Sequence, residues 1–363
     1  MNSSEANAQQ ISGIVICCRP GFEKDAAAEL SDYALCRGHA GQLKCTVDSG
    51  FVLLTLNETC NFESINRNIR LADLAFARQL GFCFGSATGM PDDDRVSAIV
   101  ETARCAPTRF GSITVETPDA DATKPLSGFC RRLAAPLGRV AEKNNILRPK
   151  RIHLPNLAVL FVAQSEALLS INTADNRSPW PAGIPRLRMP KDAPSRSTQK
   201  LAEAFMTLLD EAELEQRLRP GQRAVDLGAA PGGWTWQLAW RGLRVTAIDN
   251  GPLRDSVMAT EMVEHLKADG FTWRPHRPVD WMVCDMVEQP SRIASLVAEW
   301  VATGRCRYTV FNLKLPMKRR VEAVEQCREL IRKRLASVGP YDLRIKHLYH
   351  DREEVTAFLT LKR

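Results

Sequence analysis

Hydrophobic and polar positions in the first 176 residues predict short strands mixed with helices. Apolar and alternating segments predict strands at 11–18, 112–116, 157–164 and 167–172, and a hairpin over 42–56. Helical patterns predict helices at 23–35, 62–79, 95–103 and 126–144. This order fits two small α+β units in tandem, at residues 1–80 and 81–176.

A proline-rich segment separates this part of the chain from the rest. Residues 177–194 read RSPWPAGIPRLRMPKDAP and contain five prolines in eighteen residues. Proline removes a backbone donor and disfavours helix before it, so the segment is neither a helix nor a central strand. We therefore predict a basic linker over 177–196, followed by a further domain over 197–363.

After the linker, short apolar strands alternate with helices. A helix is predicted over 197–218, and strands are predicted at 223–227, 244–248, 281–284, 308–313, 342–348 and 355–361. Apolar strands spaced by helices are typical of a doubly wound, mostly parallel sheet. The predicted fold class of this domain is therefore α/β.

Composition narrows the class of protein. The chain has 363 residues, of which 44% are hydrophobic, which is enough to form the hydrophobic cores of folded domains. It contains no apolar run of about 20 residues, and its first ten residues, MNSSEANAQQ, lack the features of a secretory signal. We expect these ten residues to be disordered. The 11 cysteines form no CxxC pair, which argues against a zinc ribbon or a thioredoxin-type site. We expect a soluble, cytoplasmic protein without a metal site.

The strongest chemical signal is AVDLGAAPGGWTWQLA, residues 224–239. It predicts a strand ending near Asp226, a turn of glycines and a proline, and a helix from Trp234. Glycine lets the backbone approach a ligand closely, and a helix N-terminus offers free amides to a polar ligand. The loop matches neither the G-x-G-x-x-G of dinucleotide enzymes nor the P-loop.

The D-x-G-x-x-P-G-G pattern of this loop resembles motif I of class I S-adenosylmethionine-dependent methyltransferases. Asp249, in VTAIDN, ends the second strand, where an acidic residue can accept both ribose hydroxyls of a nucleoside cofactor. The same resemblance puts Asp269, in KADGF, at the third strand near the adenine. It implies S-adenosylmethionine as the cofactor.

Lys200, Asp285, Lys314 and Glu354 follow one another in an order similar to the catalytic tetrad of RNA ribose 2′-O-methyltransferases of the heat-shock and cap methyltransferase type. A ribose 2′-hydroxyl must lose a proton as it attacks the methyl group. A lysine can accept that proton only if its pKa falls well below ~10.4, through burial or a neighbouring cation. We predict Lys314 as the proton acceptor and Lys200 as the neighbouring cation, with Glu353 as an alternative fourth member.

Other methyl acceptors fit the sequence less well. Methylation of base amino groups typically goes with an N/D-P-P-Y/F loop after the fourth strand, and this chain has CDMVEQP there. Cytosine C5 methylation needs a nucleophilic cysteine, whereas Cys284 lies within a strand, where we expect an inert core thiol.

Several segments together resemble the ribosomal RNA large-subunit methyltransferase M family over nearly the whole chain: CRPGFEKDAAAEL, SRSTQKLAEAF, DLGAAPGGWTWQL, CDMVEQP, NLKLPMK and LYHDREEVT. The resemblance implies a ferredoxin-like unit at 1–80, a THUMP-like RNA-binding unit at 81–176 and a Rossmann-like class I methyltransferase domain. It also implies 2′-O-methylation of cytidine 2498, in the peptidyl-transferase region of 23S rRNA. The cofactor-binding residues carried over by motif position are Ser197, Ala230, Pro231, Gly232, Gly233, Asp249, Asp269 and Asp285.

The expected partner is 23S rRNA, either naked or within a large-subunit assembly intermediate, and we expect a monomer. The basic run at 125–151, the linker and the cluster at 318–320 are candidates for an RNA-contacting track, although the first is equally typical of a solvated helix face. Trp180 and Trp234 are candidates for base stacking, and Trp234 is equally a candidate for packing. Two alternatives stay open: 2′-O-methylation of another RNA, such as tRNA, and a noncatalytic role in RNA binding or ribosome assembly.

Overall fold

The computed structural model describes residues 10–362. It divides the chain into two compact units, Met1–Ile184 and Pro185–Arg363, so the division falls inside the predicted linker. The extension that the sequence predicts to be disordered lies, except for Gln10, outside the described residues.

The described part of the first unit contains one sheet of seven strands. The strands are β1 Ile11–Cys17, β2 Gly41–Cys45, β3 Phe51–Cys60, β4 Gln79–Ala87, β5 Ser112–Glu116, β6 Asn156–Ala163 and β7 Glu166–Asn172. The helices are α1 Glu23–Leu35, α2 Phe62–Asn68, α3 Arg95–Arg104 and α4 Leu126–Lys143. The strand order is β2-β3-β1-β4-β7-β6-β5, and every neighbouring pair is antiparallel except β5 and β6.

The helix predicted over 62–79 is wrong in its second half. It ends at Asn68, and the chain reaches β4 at Gln79. β4 pairs with β1 on one side and with β7 on the other, so the predicted boundary between residues 80 and 81 falls inside a strand at the middle of the sheet. β4 begins with five consecutive buried residues, and a strand buried on both faces lacks the alternation that predicts strands.

The second unit also contains a seven-stranded sheet. Its strands are β8 Arg223–Leu227, β9 Arg244–Ile248, β10 Val263–Leu266, β11 Val279–Cys284, β12 Cys306–Lys314, β13 Tyr341–Lys346 and β14 Glu354–Leu361. Its helices are α5 Ser197–Leu208, α6 Glu211–Arg217, α7 Gly233–Trp240, α8 Asp255–Met258, α9 Pro290–Ala302 and α10 Arg320–Leu335. The order is β10-β9-β8-β11-β12-β14-β13; β8 to β12 pair in parallel, and β14 runs antiparallel to both its neighbours.

This topology confirms the predicted α/β class, with two local corrections. The helix predicted over 197–218 is two helices, because Asp210 starts α6 through a capping box with Glu213. The short edge strand β10 was not predicted; four residues are too few to show a pattern. The carboxyl ends of β8, β9, β11 and β12 lie side by side, which is where ligands bind in such sheets.

The core of the second unit forms between its sheet and the helices α5 and α7. Leu201 and Phe205 of α5 pack with Trp234 of α7 and with strand residues such as Trp281 and Val310. Phe205 and Trp281 meet edge to face, with ring centroids 5.5 Å apart. This packing fixes α5, the helix that carries Lys200, against the sheet. Between residues 10 and 362, no helix is both long and apolar enough to cross a membrane.

Candidate active site

The glycine-rich loop joins β8 to α7 through two residues in the left-handed region. Gly228 has φ 78° and Gly232 has φ 108°, conformations that favour glycine. A Cβ on Gly228 would lie 2.5 Å from Met286 Cγ, and a Cβ on Gly233 would overlap Ser197 Oγ. The predicted residue Ser197 therefore lies against the start of α7, and its hydroxyl also contacts Ser195 Oγ at 2.7 Å.

Asp249 follows β9 and holds the glycine-rich loop in place. Its Oδ2 accepts a hydrogen bond of 2.9 Å from the Ala230 amide, and its Oδ1 accepts one of 2.7 Å from the Gly251 amide. The carboxylate is thus fixed next to the loop that begins at Gly228, at the carboxyl edge of the sheet.

A cavity of about 360 Å³ opens between these elements. Its walls include the predicted residues Ala230, Asp249, Asp269 and Asp285, together with Met286. Asp269 lies three residues beyond the end of β10, and its Oδ1 accepts a hydrogen bond of 2.9 Å from the Phe271 amide.

The cavity fits S-adenosylmethionine in size and chemistry. Its volume lies within the roughly 300–1,000 Å³ of small-molecule sites. Gly228 has no room for a side chain, so the loop backbone itself forms the wall, and Asp249 offers carboxylate oxygens as acceptors for ribose hydroxyls. Asp249 and Asp269 are the residues that would bind the nucleoside part of the cofactor.

The four residues predicted as a tetrad lie in direct contact with one another. Lys200 Nζ is 2.6 Å from Glu354 Oε1 and 3.5 Å from Asp285 Oδ2. Lys314 Nζ is 2.5 Å from Asp285 Oδ1 and 3.9 Å from Glu354 Oε2. Each carboxylate therefore contacts both ammonium groups, and Asp285 belongs both to this cluster and to the cavity wall. We call these four residues the tetrad.

The two lysines of the tetrad have different surroundings. The side chain of Lys200 is 10% exposed and that of Lys314 is 22% exposed. Burial by itself lowers the pKa of Lys200, but the nearby carboxylates, Asp285 first and Glu354 with it, outweigh burial and raise that pKa above its ordinary value. Lys200 is therefore held as an ammonium ion at neutral pH, and Lys314 is the more accessible amine.

Comparisons with known proteins find relatives that align with nearly the whole chain. Residues 11–81 match the RlmM ferredoxin-like domain, residues 94–172 match the ribosomal RNA large subunit methyltransferase M N-terminal domain, and residues 193–334 match the FtsJ-like methyltransferase domain. A ribosomal RNA large subunit methyltransferase M from Thauera aminoaromatica is 64% identical, with 99% of this chain and 98% of that protein covered. The chain belongs to the ribosomal RNA large subunit methyltransferase M family.

Other members of the M family align almost as fully. The protein of that name from Azoarcus sp. (strain BH72) is 60% identical over 99% of this chain and 98% of its own length. The one from Methylococcus capsulatus is 47% identical over 96% and 98%. The predicted ferredoxin-like unit, the class I methyltransferase fold and the cofactor S-adenosylmethionine are thereby confirmed. The assignment of residues 81–176 as THUMP-like stays a prediction.

In this member of the M family, the two adjacent glutamates near β14 have different partners. Glu354 faces the tetrad, and its side chain is 13% exposed. Glu353 is 50% exposed and forms an ion pair of 2.7 Å with Arg320 Nη2. Of the two candidates for the fourth position, Glu354 is the one in contact with the lysines.

The interpretation of Trp234 as a base-stacking residue is wrong. Its side chain is 2% exposed and belongs to the hydrophobic core of the methyltransferase unit. The expectation that Cys284 is an inert core thiol agrees with the structure, because burial raises its pKa to about 12. Arg320 of the basic cluster at 318–320 is already bound to Glu353.

Three buried polar residues behind the tetrad were not predicted from sequence. Asn312, Asp351 and Thr356 are fully buried, and Asn312 donates a hydrogen bond of 2.7 Å to Asp285 Oδ1. A signal for Asn312 was available, because it lies two residues before Lys314 on a strand and so shares its face. The other two lie at the end of a loop and on the next strand, and only the fold brings them together.

Proposed function

We propose that this protein transfers a methyl group from S-adenosylmethionine to the ribose 2′-hydroxyl of a cytidine in large-subunit ribosomal RNA, namely cytidine 2498 of 23S rRNA. One observation carries the proposal: Asp285 lines the cofactor cavity and also binds both lysines of the tetrad. A methyl donor in the cavity would therefore lie next to a pair of amines that can manage a proton. The names of the family members support rRNA of the large subunit as the substrate.

The residues around the cavity would bind and orient the cofactor, and the tetrad would accept the proton of the ribose hydroxyl. When bound, S-adenosylmethionine supplies an electrophilic methyl group on a sulfonium sulfur. Asp249 and the loop from Gly228 would hold and orient the cofactor in the cavity. Lys314 Nζ would take up the proton that the 2′-hydroxyl gives up when it receives the methyl group.

Lys314 is better suited than Lys200 to accept this proton. A base must be neutral when the substrate arrives, and the carboxylates around Lys200 favour its charged form. The Lys200 ammonium in turn contacts Glu354 at 2.6 Å and Asp285 at 3.5 Å, so both carboxylates next to Lys314 are already paired with a cation. Lys314 is also the more exposed of the two amines and can be reached by an RNA ribose.

The test is a methyl-transfer assay with labelled S-adenosylmethionine and rRNA from cells that lack the gene. The product is mapped by primer extension that stops at 2′-O-methylated nucleotides. We expect a single new stop at the 23S cytidine, and its loss in Lys314→Ala with cofactor binding kept near wild type. Lys333→Ala serves as the control, because Lys333 is an exposed lysine paired with Glu329 on α10.

The other outcomes separate the alternatives. Label incorporated without a ribose stop would overturn the tetrad as the catalytic group. Transfer to tRNA but not to rRNA would overturn the substrate. Cofactor binding with no transfer to any RNA, including assembly intermediates, would indicate a noncatalytic RNA-binding protein.

A further inference from the structure

A chain of hydrogen bonds runs from the tetrad into the interior of the methyltransferase unit. Asn312 Nδ2 is 2.7 Å from Asp285 Oδ1, Thr356 Oγ1 is 2.7 Å from Asn312 Oδ1, and Thr356 Oγ1 is 3.0 Å from the Asp351 carboxyl oxygens. The three residues behind Asp285 have no solvent exposure. We call this chain, Asp351–Thr356–Asn312, the buried relay.

The direction of each bond in the buried relay follows from what each group can donate. Asp285 pairs with the Lys200 ammonium and also accepts a hydrogen bond from Lys314 Nζ, so it acts as a carboxylate, which only accepts. Asn312 must therefore turn its amide NH₂ toward Asp285 and its carbonyl oxygen toward Thr356. That carbonyl oxygen accepts the single hydroxyl proton that Thr356 has to give.

The last contact then requires a proton from Asp351. Thr356 has already donated its proton to Asn312, so its oxygen can only accept in the contact of 3.0 Å with Asp351. Two oxygens this close without a proton between them would repel each other inside a buried site. Asp351 Oδ2 also accepts a hydrogen bond of 3.0 Å from the Leu348 amide, which fixes the orientation of the carboxyl group.

We infer that Asp351 is a positioning residue that carries a proton and, through Thr356 and Asn312, fixes the Asp285 carboxylate between the two lysines of the tetrad. The inference rests on the proposed function for its catalytic meaning. A carboxylate held from behind keeps Oδ1 for Lys314 and Oδ2 for Lys200. Without that support, Asp285 can rotate, and the contact with Lys314 at 2.5 Å changes first.

The surroundings of Asp351 favour the protonated form. Burial is the largest effect and raises its pKa; the Lys200 ammonium opposes it, and the Glu354 and Glu203 carboxylates add to it. The resulting pKa of Asp351 is about 8. Glu203 lies on α5 one turn beyond Lys200 and accepts hydrogen bonds from the Tyr349 and His350 amides, so negative charge also faces Asp351 from that helix.

The test uses two pairs of variants that differ in what they can donate. In Asp351→Asn the side-chain NH₂ replaces the donated proton, so we expect kcat within about threefold of wild type. In Asp351→Leu the donor is absent, and we expect kcat to fall at least tenfold while KM for S-adenosylmethionine stays near wild type. The kcat of Thr356→Val should fall by a similar factor, whereas Thr356→Ser keeps the hydroxyl and should keep its activity. Thr309→Val is the control, because Thr309 is a buried threonine of the same sheet whose hydroxyl donates to a sulfur atom, Met282 Sδ at 3.6 Å.

A spectroscopic measurement decides the protonation without any assay of activity. An infrared difference spectrum between wild type and Asp351→Asn at neutral pH should show the carbonyl band of a protonated carboxyl group. Its absence, or inactivity of Asp351→Asn equal to that of Asp351→Leu, would overturn the inference, because a charged Asp351 would then be required. If wild type methylates no RNA, the proposed function fails, and the infrared band still decides whether Asp351 carries a proton.

Discussion

Gly228 and Met286 approach each other so closely that a Cβ atom on Gly228 would lie 2.5 Å from Met286 Cγ. Gly228 opens the glycine-rich loop, and Met286 directly follows Asp285 of the tetrad. The glycine-rich loop and the tetrad are therefore linked through the close approach of these two residues. A side chain added at Gly228 would therefore displace Met286 and the segment that contains Asp285.

We expect Gly228→Ala to weaken S-adenosylmethionine binding at least tenfold, because the new methyl group displaces Met286 and with it the cavity wall. Gly221→Ala is the matched control. Gly221 has φ 84° and nothing within 4 Å of its Cβ position, so that variant carries only the strain of a positive φ, roughly 1–2 kcal/mol of stability. Titration calorimetry measures both affinities; equal losses in the two variants would contradict a specific role for the Gly228 contact.

Asp249→Ala should weaken cofactor binding by about 10- to 100-fold. The variant loses the acceptor for the ribose hydroxyls, and hydrogen bonds to a charged group contribute about 1.5–3 kcal/mol. It also releases the amides of Ala230 and Gly251. Asp255→Ala, at an exposed position on the nearby α8, is the control for loss of a negative charge. Unchanged affinity in Asp249→Ala would exclude Asp249 as a cofactor ligand.

The two adjacent glutamates should differ sharply in activity. Glu354→Gln removes the carboxylate that lies 2.6 Å from Lys200, and we expect kcat to fall roughly 100-fold because the tetrad loses its geometry. Glu353→Gln affects an exposed pair with Arg320, so we expect a change of less than about threefold. Single-turnover methyl transfer measures both. The reverse order of losses would assign the fourth tetrad position to Glu353.

Protonation of Asp351 predicts a specific dependence of stability on pH. Its pKa of about 8 in the folded chain exceeds the ordinary value near 3.9, so the folded state binds the extra proton between these values. Folding stability from this group therefore falls as pH rises from about 4 to 8. Lys200, Glu203 and Glu354 are charged groups that act on this carboxyl group.

Asp351→Asn removes this titration. The unfolding free energy of Asp351→Asn, relative to that of wild type, should therefore increase by up to about 1.4 kcal/mol for each unit that the pH rises between pH 5 and 7. Urea unfolding followed by tryptophan fluorescence reports mainly on the methyltransferase unit, because of the 7 tryptophans Trp180 alone precedes residue 185. A difference between the two proteins that does not change with pH would contradict a protonated Asp351.

The basic face of α4 should contribute to RNA affinity through charge. Arg131 and Arg132 are exposed, so replacing both with alanine should weaken RNA binding and reduce the salt dependence of log K by about 1.4, since each single-strand phosphate contact contributes roughly 0.7. Arg332 and Lys333 on α10, which pair with Glu329, give a control with the same charge change. Equal salt slopes for the two double variants would mean that α4 is a solvated face.

The sequence predicted most of the second unit because its strands are short apolar runs and its polar residues stand at their ends. Lys314 and Asp285 could be recognised for that reason, since the ends of parallel strands meet at one edge. The strand β4 could not be recognised in the sequence, because a strand buried on both faces shows no alternation of apolar and polar residues. Its position between β1 and β7 depends on pairings with residues that are 62 to 70 positions away in β1 and 80 to 89 positions away in β7.

The buried relay could not be predicted from the sequence, for a different reason. Thr356 and Asp351 look like an ordinary strand threonine and a loop aspartate, and a threonine on a strand usually only packs. Their role depends on which group donates to which, and that follows from Asp285 being held as a carboxylate by two lysines. Hydrogen-bond direction is a property of the assembled site rather than of any segment.

Glu354 contacts the tetrad and the adjacent Glu353 does not, so the length of the loop that precedes β14 is critical. Residues 347–353 join β13 to β14, and the Glu203 carboxylate holds the amides of Tyr349 and His350 in the middle of that connection. A loop anchored in this way has no slack to absorb an inserted residue. One extra residue after His350 would shift β14 by one position against β12 and turn every side chain of β14 to the opposite face. Single insertions or deletions here should therefore inactivate the protein even where substitutions at exposed loop positions are harmless.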